Sequence, residues 1–121
     1  MANTTQIKKN IKEIIKHLSE KYNIVLKEKS VIDNFTNGLK IHGISEDRKY
    51  GIIVCNNKLK DDKIGAGILS SILGKCYLLI LSEVKNKILI FTNKEFYDKF
   101  LDKYGVYLKD IKVEYYNLNK F

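Results

Sequence analysis

The feature that most constrains the fold is the continuous apolar run Gly51-Ile52-Ile53-Val54, which lies inside a predicted strand over residues 50–55. A strand with one solvated face alternates apolar and polar side chains, whereas a strand that is covered on both faces is apolar throughout. The run therefore predicts a central strand with a layer of structure on each side. A chain of 121 residues can bury such a core without disulfides or metals.

The segments around this strand supply the other predicted layers. A helix begins at Thr4 or Thr5 and runs to about Lys21, because its apolar residues recur with a period of 3.6. Before the central strand, the sequence predicts strand-like pieces over 24–26 and 31–35, an Asn37-Gly38 turn, a strand over 39–44 and a polar turn over 45–48. After it, the sequence predicts a helix over about 62–73 and then strands over 76–81 and 88–91, joined as a hairpin. The last predicted elements are a helix between a capping box at 92–95 and Gly105, and a strand within 106–118. This order predicts one α/β domain over residues 1–121, in which helices flank both faces of a mixed central sheet.

The predicted helix over 62–73 is unusually rich in small residues. Gly65, Ala66 and Gly67 let a backbone approach closely, so we expect this helix to pack tightly against the sheet or against another subunit. Gly74 is expected to end it in the left-handed conformation.

The net charge of +8 favours polyanionic partners such as nucleic acid. All of the 22 basic residues except Arg48 are lysines. Lysine is a point charge without the forked geometry that reads bases, so contacts with the nucleic-acid backbone are expected to dominate. The composition is also typical of an archaeal or thermophile protein, or of an AT-rich genome. The alternative to nucleic-acid binding is therefore that the excess of lysine reflects composition alone.

Several other classes of protein are not indicated. No apolar run approaches the roughly 18 residues of a membrane span, and residues 1–9 are not followed by an apolar signal-peptide core. We therefore expect a cytoplasmic protein without a membrane partner. Cys55 and Cys76 lie in apolar segments without a Cys/His cluster, which predicts buried, reduced thiols and neither a metal site nor a cofactor.

In element order and hydrophobic pattern, residues 39–81 resemble the restriction-endonuclease-like superfamily. That resemblance implies a metal-dependent nuclease site with an Asp at the end of one strand and Glu-x-Lys on the next. Here the corresponding segments are Leu39-Lys40-Ile41 and Ile53-Val54-Cys55, and the shifted alternative Asn56-Asn57-Lys58 also lacks the acid. The resemblance therefore implies a nuclease-like fold without its metal ligands.

Residues 61–91 are similar to the helix–strand–strand segment near the C-terminus of archaeal tRNA-splicing endonuclease, a metal-free ribonuclease family. The catalytic lysine of that family falls on Gly74, its histidine near Asp47 and its tyrosine near His42. Because all three residues differ, the resemblance implies a non-catalytic structural subunit that works with an active partner.

Three functions follow from these observations. The first is a nucleic-acid-binding protein of nuclease-like fold without its own active site, which prefers RNA to DNA and acts in a homo- or hetero-oligomer as a structural or accessory subunit in RNA processing. The residues expected to bind nucleic acid are Lys40, Arg48, Lys58, Lys60 and Lys75. The alternative is a small protein-interaction module that dimerises through its small-residue helix or its last strand. The third is a metal-free nuclease site built on His42, Asp47 and Lys75.

Overall fold

The computed structural model describes residues 4–27, 41–45, 47, 49–81 and 84–117. Over these residues the elements are α1 (Thr4–Tyr22), β1 (Leu26–Lys27), β2 (Gly43–Ser45), β3 (Tyr50–Cys55), α2 (Ala66–Leu81), β4 (Asn86–Phe91), α3 (Lys94–Tyr104), a 3-10 turn (Gly105–Tyr107) and β5 (Ile111–Tyr115). The predicted piece over 31–35, the Asn37-Gly38 turn, and Leu39, Lys40, Glu46, Arg48 and Leu118 lie outside the described residues.

The strands form one mixed sheet in the order β1-β2-β3-β4-β5. β1, β2 and β3 pair antiparallel, whereas β3, β4 and β5 are parallel neighbours. The register places Tyr50 beside Asn86 and Lys87 beside Ile111. The amino ends of β3, β4 and β5 therefore meet at one edge of the sheet, and their carboxyl ends meet at the other.

Helices cover both faces of the sheet, as the apolar run in β3 predicted. Ile52 and Val54 pack with the buried face of α1, which includes Ile14 and Leu18. Ile53 and Cys55 point to the other face, where the buried residues of α2 and α3 include Ile72, Cys76, Leu79, Phe96 and Phe100. Because successive side chains of a strand point to opposite faces, one apolar run supplies both cores.

The predicted boundaries of α2 are wrong, and the hairpin predicted after it does not form. The helix continues through Gly74 and includes residues 76–81, which the sequence predicted as a strand. An apolar run of that length does not by itself distinguish a buried strand from a buried helix. β4 pairs parallel with β3, and a parallel pair needs a long crossover, usually a helix, which α2 provides.

The small residues of α2 do not pack closely against the sheet, which was one of the two predicted alternatives. A Cβ added at Gly67 or Gly74 would meet no side chain or neighbouring backbone of the described structure within 4 Å. Ala66, Ser70 and Ser71 are exposed, and Tyr77 and Leu81 extend the same uncharged surface. Dimerisation through this helix stays a prediction.

The start of α3 also differs from the predicted capping box at 92–95. The Phe96 N–H donates to the side chain of Asn93 at 2.9 Å, so Asn93 is the N-cap. The Thr92 hydroxyl donates instead to Asn56 Oδ1 at 2.9 Å, which joins the carboxyl ends of β3 and β4. Gly105 follows the helix as predicted, but its φ of −56° continues the chain into the 3-10 turn, and β5 begins only at Ile111.

Both cysteines are free and buried, as expected, although Cys76 lies in a helix. Burial raises the pKa of the Cys55 thiol to about 11 and that of Cys76 to about 12, so both stay protonated at neutral pH.

Among the described residues, none of the helices combines the length and the apolar composition that a membrane span requires.

Candidate nucleic-acid interface

Three of the five lysine and arginine residues predicted to bind nucleic acid have described positions. Lys58 and Lys60 are exposed in the segment that follows β3. Lys75 is half-buried on α2, where its charge acts on the thiol of Cys55, the last residue of β3. These three residues lie towards the carboxyl end of β3, whereas Lys40 and Arg48 lie outside the described residues.

The turn that contains Lys60 carries its own acidic residues. Lys60 and Lys63 pair through their backbones across Asp61 and Asp62, both of which have positive φ. Two exposed carboxylates therefore stand between the two lysines, and that of Asp62 lies 3.7 Å from the Lys99 ammonium. The acidic residues lower the net positive charge of this turn.

The three candidate residues of a metal-free nuclease site do not lie together. Asp47 accepts hydrogen bonds from the Ser45 hydroxyl at 2.8 Å and from the Lys49 N–H at 3.1 Å, in the turn before β3. These two bonds lower the pKa of Asp47, Ser45 contributing more, and keep the carboxylate charged. Lys75 lies near the opposite end of β3, and a six-residue strand separates such ends by roughly 17 Å.

His42 has a structural role immediately before β2. Its backbone N–H donates to the Ile52 carbonyl at 2.9 Å, and its imidazole Nδ1 accepts from the Val54 N–H at 2.8 Å. The side chain thus supplies an acceptor to β3 where backbone pairing with β2 ends. Because the lone pair of Nδ1 is engaged, this nitrogen is not available as a general base.

His42→Ala is expected to lower the free energy of unfolding by about 1–3 kcal/mol, because it leaves the N–H of a buried strand without its acceptor. His42→Asn is the matched control, since its amide oxygen can stand close to the position of Nδ1 and should recover much of the loss. Urea unfolding of the two variants measures the difference. Equal losses in both would show that the Val54 bond contributes little.

A recess that the sequence did not indicate lies at the amino ends of β4 and β5. We call this recess, of about 320 Å³, the amino-end pocket. It is lined by Tyr22, Tyr50, residues 85–88 and residues 109–112. Four of these residues are lysines (Lys85, Lys87, Lys109 and Lys112), against a single acidic residue, Asp110.

Parallel pairing brings these distant lysines together. The register of Lys87 beside Ile111 places the segment before β4 next to the segment before β5. The backbone N–H and the side-chain amide of Asn86 both donate to the Lys49 carbonyl, at 2.7 and 2.9 Å, which fixes the start of β4 to the turn before β3. The sequence prediction missed the pocket because it treated residues 83–86 as the turn of a hairpin.

Three of the four lysines in the amino-end pocket form no ion pair within the described part of the chain. Lys112 donates to Glu114 Oε1 at 3.1 Å and to the Tyr22 hydroxyl at 3.3 Å, and the bond to Glu114 is the main cause of its raised pKa. Lys85, Lys87 and Lys109 form no ion pair with any described carboxylate. Three ammonium groups are therefore available to an anionic ligand.

The wall of the pocket is aromatic. The rings of Tyr22 and Tyr50 have centroids 5.2 Å apart and are tilted by 35°, and both side chains are half-buried. The Lys112 ammonium lies 5.6 Å from the Tyr22 ring centroid. Lysines beside aromatic surface suit a nucleic-acid chain, whose phosphates need cations and whose bases stack on rings.

The described lining of the pocket provides binding chemistry. Its titratable residues are four lysines, two tyrosines and the single carboxylate of Asp110, and it contains no histidine. Elsewhere in the described residues, no three His, Cys, Asp or Glu side chains are grouped so that they could hold a metal ion. Comparisons of the chain with protein-family models, with curated proteins and with solved structures gave no match.

Proposed function

We propose that this protein binds RNA through the amino-end pocket and acts without a catalytic site of its own. The observation that carries the proposal is the convergence of Lys85, Lys87 and Lys109, all unpaired with described carboxylates, on a recess with a tyrosine wall. Four of the 21 lysines in the sequence thus line one concave place. Such a site favours phosphate contacts over base reading.

The fold supports the nuclease-like part of the proposal. β2 and β3 are adjacent, antiparallel strands of a mixed sheet, and strands of this kind carry the acidic motif in the restriction-endonuclease-like superfamily. Here β3 ends in Val54 and Cys55, and Asn56 follows. A protein with this scaffold and without the acids would serve as a structural or accessory subunit in RNA processing, in the cytoplasm and beside a catalytic partner.

The position of the pocket differs from the usual ligand site of open α/β sheets. Ligands of open α/β sheets usually bind at the carboxyl ends of the parallel strands, where catalytic residues are also placed. The amino-end pocket lies at the opposite edge. It therefore leaves the carboxyl ends of β3 and β4, with Asn56 and Thr92, outside the RNA site.

Fluorescence anisotropy with a bulged RNA hairpin and a DNA duplex tests the proposal directly. The triple variant Lys85→Ala, Lys87→Ala, Lys109→Ala is expected to bind the hairpin roughly 10- to 100-fold more weakly, because it removes three phosphate contacts. The slope of log affinity against log salt should fall by about 2, since each contact with a single strand contributes about 0.7. The hairpin should bind more tightly than the duplex.

The matched control is Lys58→Ala, Lys60→Ala, Lys63→Ala, which removes the same charge from the turn after β3. Its affinity should stay within about threefold of the wild type, as expected when affinity depends on local contacts and not on net charge. Equal losses in the two triple variants contradict the assignment of the pocket. Absence of binding by the wild-type protein at low salt contradicts RNA binding itself and favours the protein-interaction alternative.

A further inference from the structure

A second recess, of about 640 Å³, lies along the outer edge of β5 and involves both faces of the sheet. His17 and Lys21 of α1 contribute from one face, and Lys94 and Tyr97 of α3 contribute from the other. In the described part of the chain β5 is the last strand of the sheet. We call this site the β5-edge recess.

Aromatic rings and an ammonium group form the α3 side of the recess. The centroids of Tyr97 and Tyr115 are 5.9 Å apart, with a tilt of 38°. The Lys94 Nζ lies 5.3 Å from the Tyr97 centroid and 5.6 Å from the Tyr115 centroid, and Asp98 holds it through a 2.9 Å ion pair. Both tyrosines are half-buried. Sequence-tolerant binders of single strands use aromatic faces of this kind, flanked by cations.

A network of side chains joins the β5-edge recess to the amino-end pocket. Glu114 lines the recess, and its Oε1 accepts from Lys112 at 3.1 Å, from the Tyr22 hydroxyl at 3.3 Å and from Lys21 at 3.4 Å. Lys112 and Tyr22 also line the amino-end pocket. Two ammonium groups surround the one carboxylate at this boundary, so the surface between the two recesses carries a positive balance.

We propose that the two recesses form one path for an unpaired segment of RNA along β5. The phosphates lie at the lysines of the amino-end pocket, and a base stacks on Tyr97 or Tyr115. The inference rests on the proposed function and adds that the RNA is single-stranded. The bases of a duplex are stacked on one another and do not reach an aromatic face, whereas the bases of a loop or bulge do.

The alternative ligand of an open strand edge is a strand of another polypeptide. The described surface favours RNA for two reasons. Lysines line both ends of the path, and Lys112 lies on β5 itself, where a charged residue discourages pairing with a further strand.

The double variant Tyr97→Leu, Tyr115→Leu tests the path, because leucine keeps the apolar bulk and removes the aromatic face. The probes are a labelled 12-nucleotide oligouridylate and an RNA duplex of equal length. The wild-type protein should prefer the single strand about tenfold or more, and the leucine variant should lose roughly tenfold for the single strand only. The salt slope should stay unchanged, because no phosphate contact is removed. Tyr97→Phe, Tyr115→Phe is the matched control and should bind like the wild type.

The outcomes separate this inference from the proposed function. If the lysine triple variant binds weakly while the leucine variant binds like the wild type, RNA binding stands and the path along β5 is wrong. If the wild-type protein does not distinguish the single strand from the duplex, the path is also wrong. Protection of the amides of residues 111–115 from hydrogen exchange on self-association, with oligouridylate affinity unaffected by leucine, would show strand addition and overturn the inference. If the wild-type protein binds no RNA at all, the proposed function is wrong, and the path along β5, which rests on it, is wrong as well.

Discussion

Phe91→Ala is expected to lower the free energy of unfolding by about 3–5 kcal/mol, the usual cost of removing a buried phenyl ring. Phe91 is the last residue of β4 and is fully buried. Its ring centroid lies 4.9 Å from that of Phe100 and 5.3 Å from that of Phe96, so the substitution opens a cavity between the sheet and α3. Since small domains are stable by only about 5–15 kcal/mol, one substitution removes a large part of the total.

Urea unfolding with linear extrapolation measures this loss as a shift of the midpoint at constant slope. Tyr107→Ala is the matched control, because it also removes an aromatic ring but from a side chain that is 77% exposed, and its effect should stay within about 0.5 kcal/mol. Phe91→Leu, which fills much of the space, should cost less than about 1.5 kcal/mol. If Phe91→Ala and Tyr107→Ala are equally stable, Phe91 does not join β4 to α3 through an aromatic core.

The sequence predicted β3 and α1 well, for different reasons. The boundaries of β3 were predicted residue for residue, because its apolar run consists of the β-branched residues Ile52, Ile53 and Val54 and is bounded by polar segments. α1 ends at Tyr22, one residue beyond the prediction, since its apolar residues follow a 3.6 period over the whole length.

Residues 76–81 were predicted incorrectly because local pattern does not determine them. Their apolar side chains suit a strand or a helix. Glycine commonly ends helices, so Gly74 favoured a helix that stops before these residues. The parallel pairing of β3 with β4 decides in favour of a helix, because it requires a crossover. Strand pairing depends on tertiary structure, so it could not be predicted from a short segment of the sequence.

The incorrect prediction of a hairpin is also the reason that the sequence did not indicate the amino-end pocket. Lys85 and Lys87 come just before or at the start of one strand, and Lys109 comes just before another. In the predicted hairpin these groups lie far apart, but the register of two parallel strands brings their amino ends together. Lysines at the start of two strands were the available signal, and the direction of the strands was the missing information.

Gly74→Pro is expected to lower the free energy of unfolding by about 3 kcal/mol or more, because proline in a helix interior removes a hydrogen bond and clashes with the preceding turn. Gly74 lies in the middle of α2, which is one helix of 16 residues. Had the helix ended here, the proline would interrupt a loop and not the crossover between β3 and β4. Urea unfolding measures the change, and circular dichroism shows whether helix is lost.

Gly74→Ala provides the decisive control, because the two positions of the glycine predict opposite changes in the free energy of unfolding. The substitution raises it if Gly74 lies in a helix interior and lowers it if Gly74 ends the helix. Gly74 does not have a positive φ, and a Cβ there meets no atom within 4 Å among the described neighbours outside the helix backbone. Alanine should therefore raise the free energy of unfolding by about 0.5–1 kcal/mol. A left-handed glycine at a helix end would make the same substitution destabilising. Because α2 is the connection that makes β4 parallel to β3, a stabilising alanine also supports the strand directions that place Lys85 and Lys87 beside Lys109.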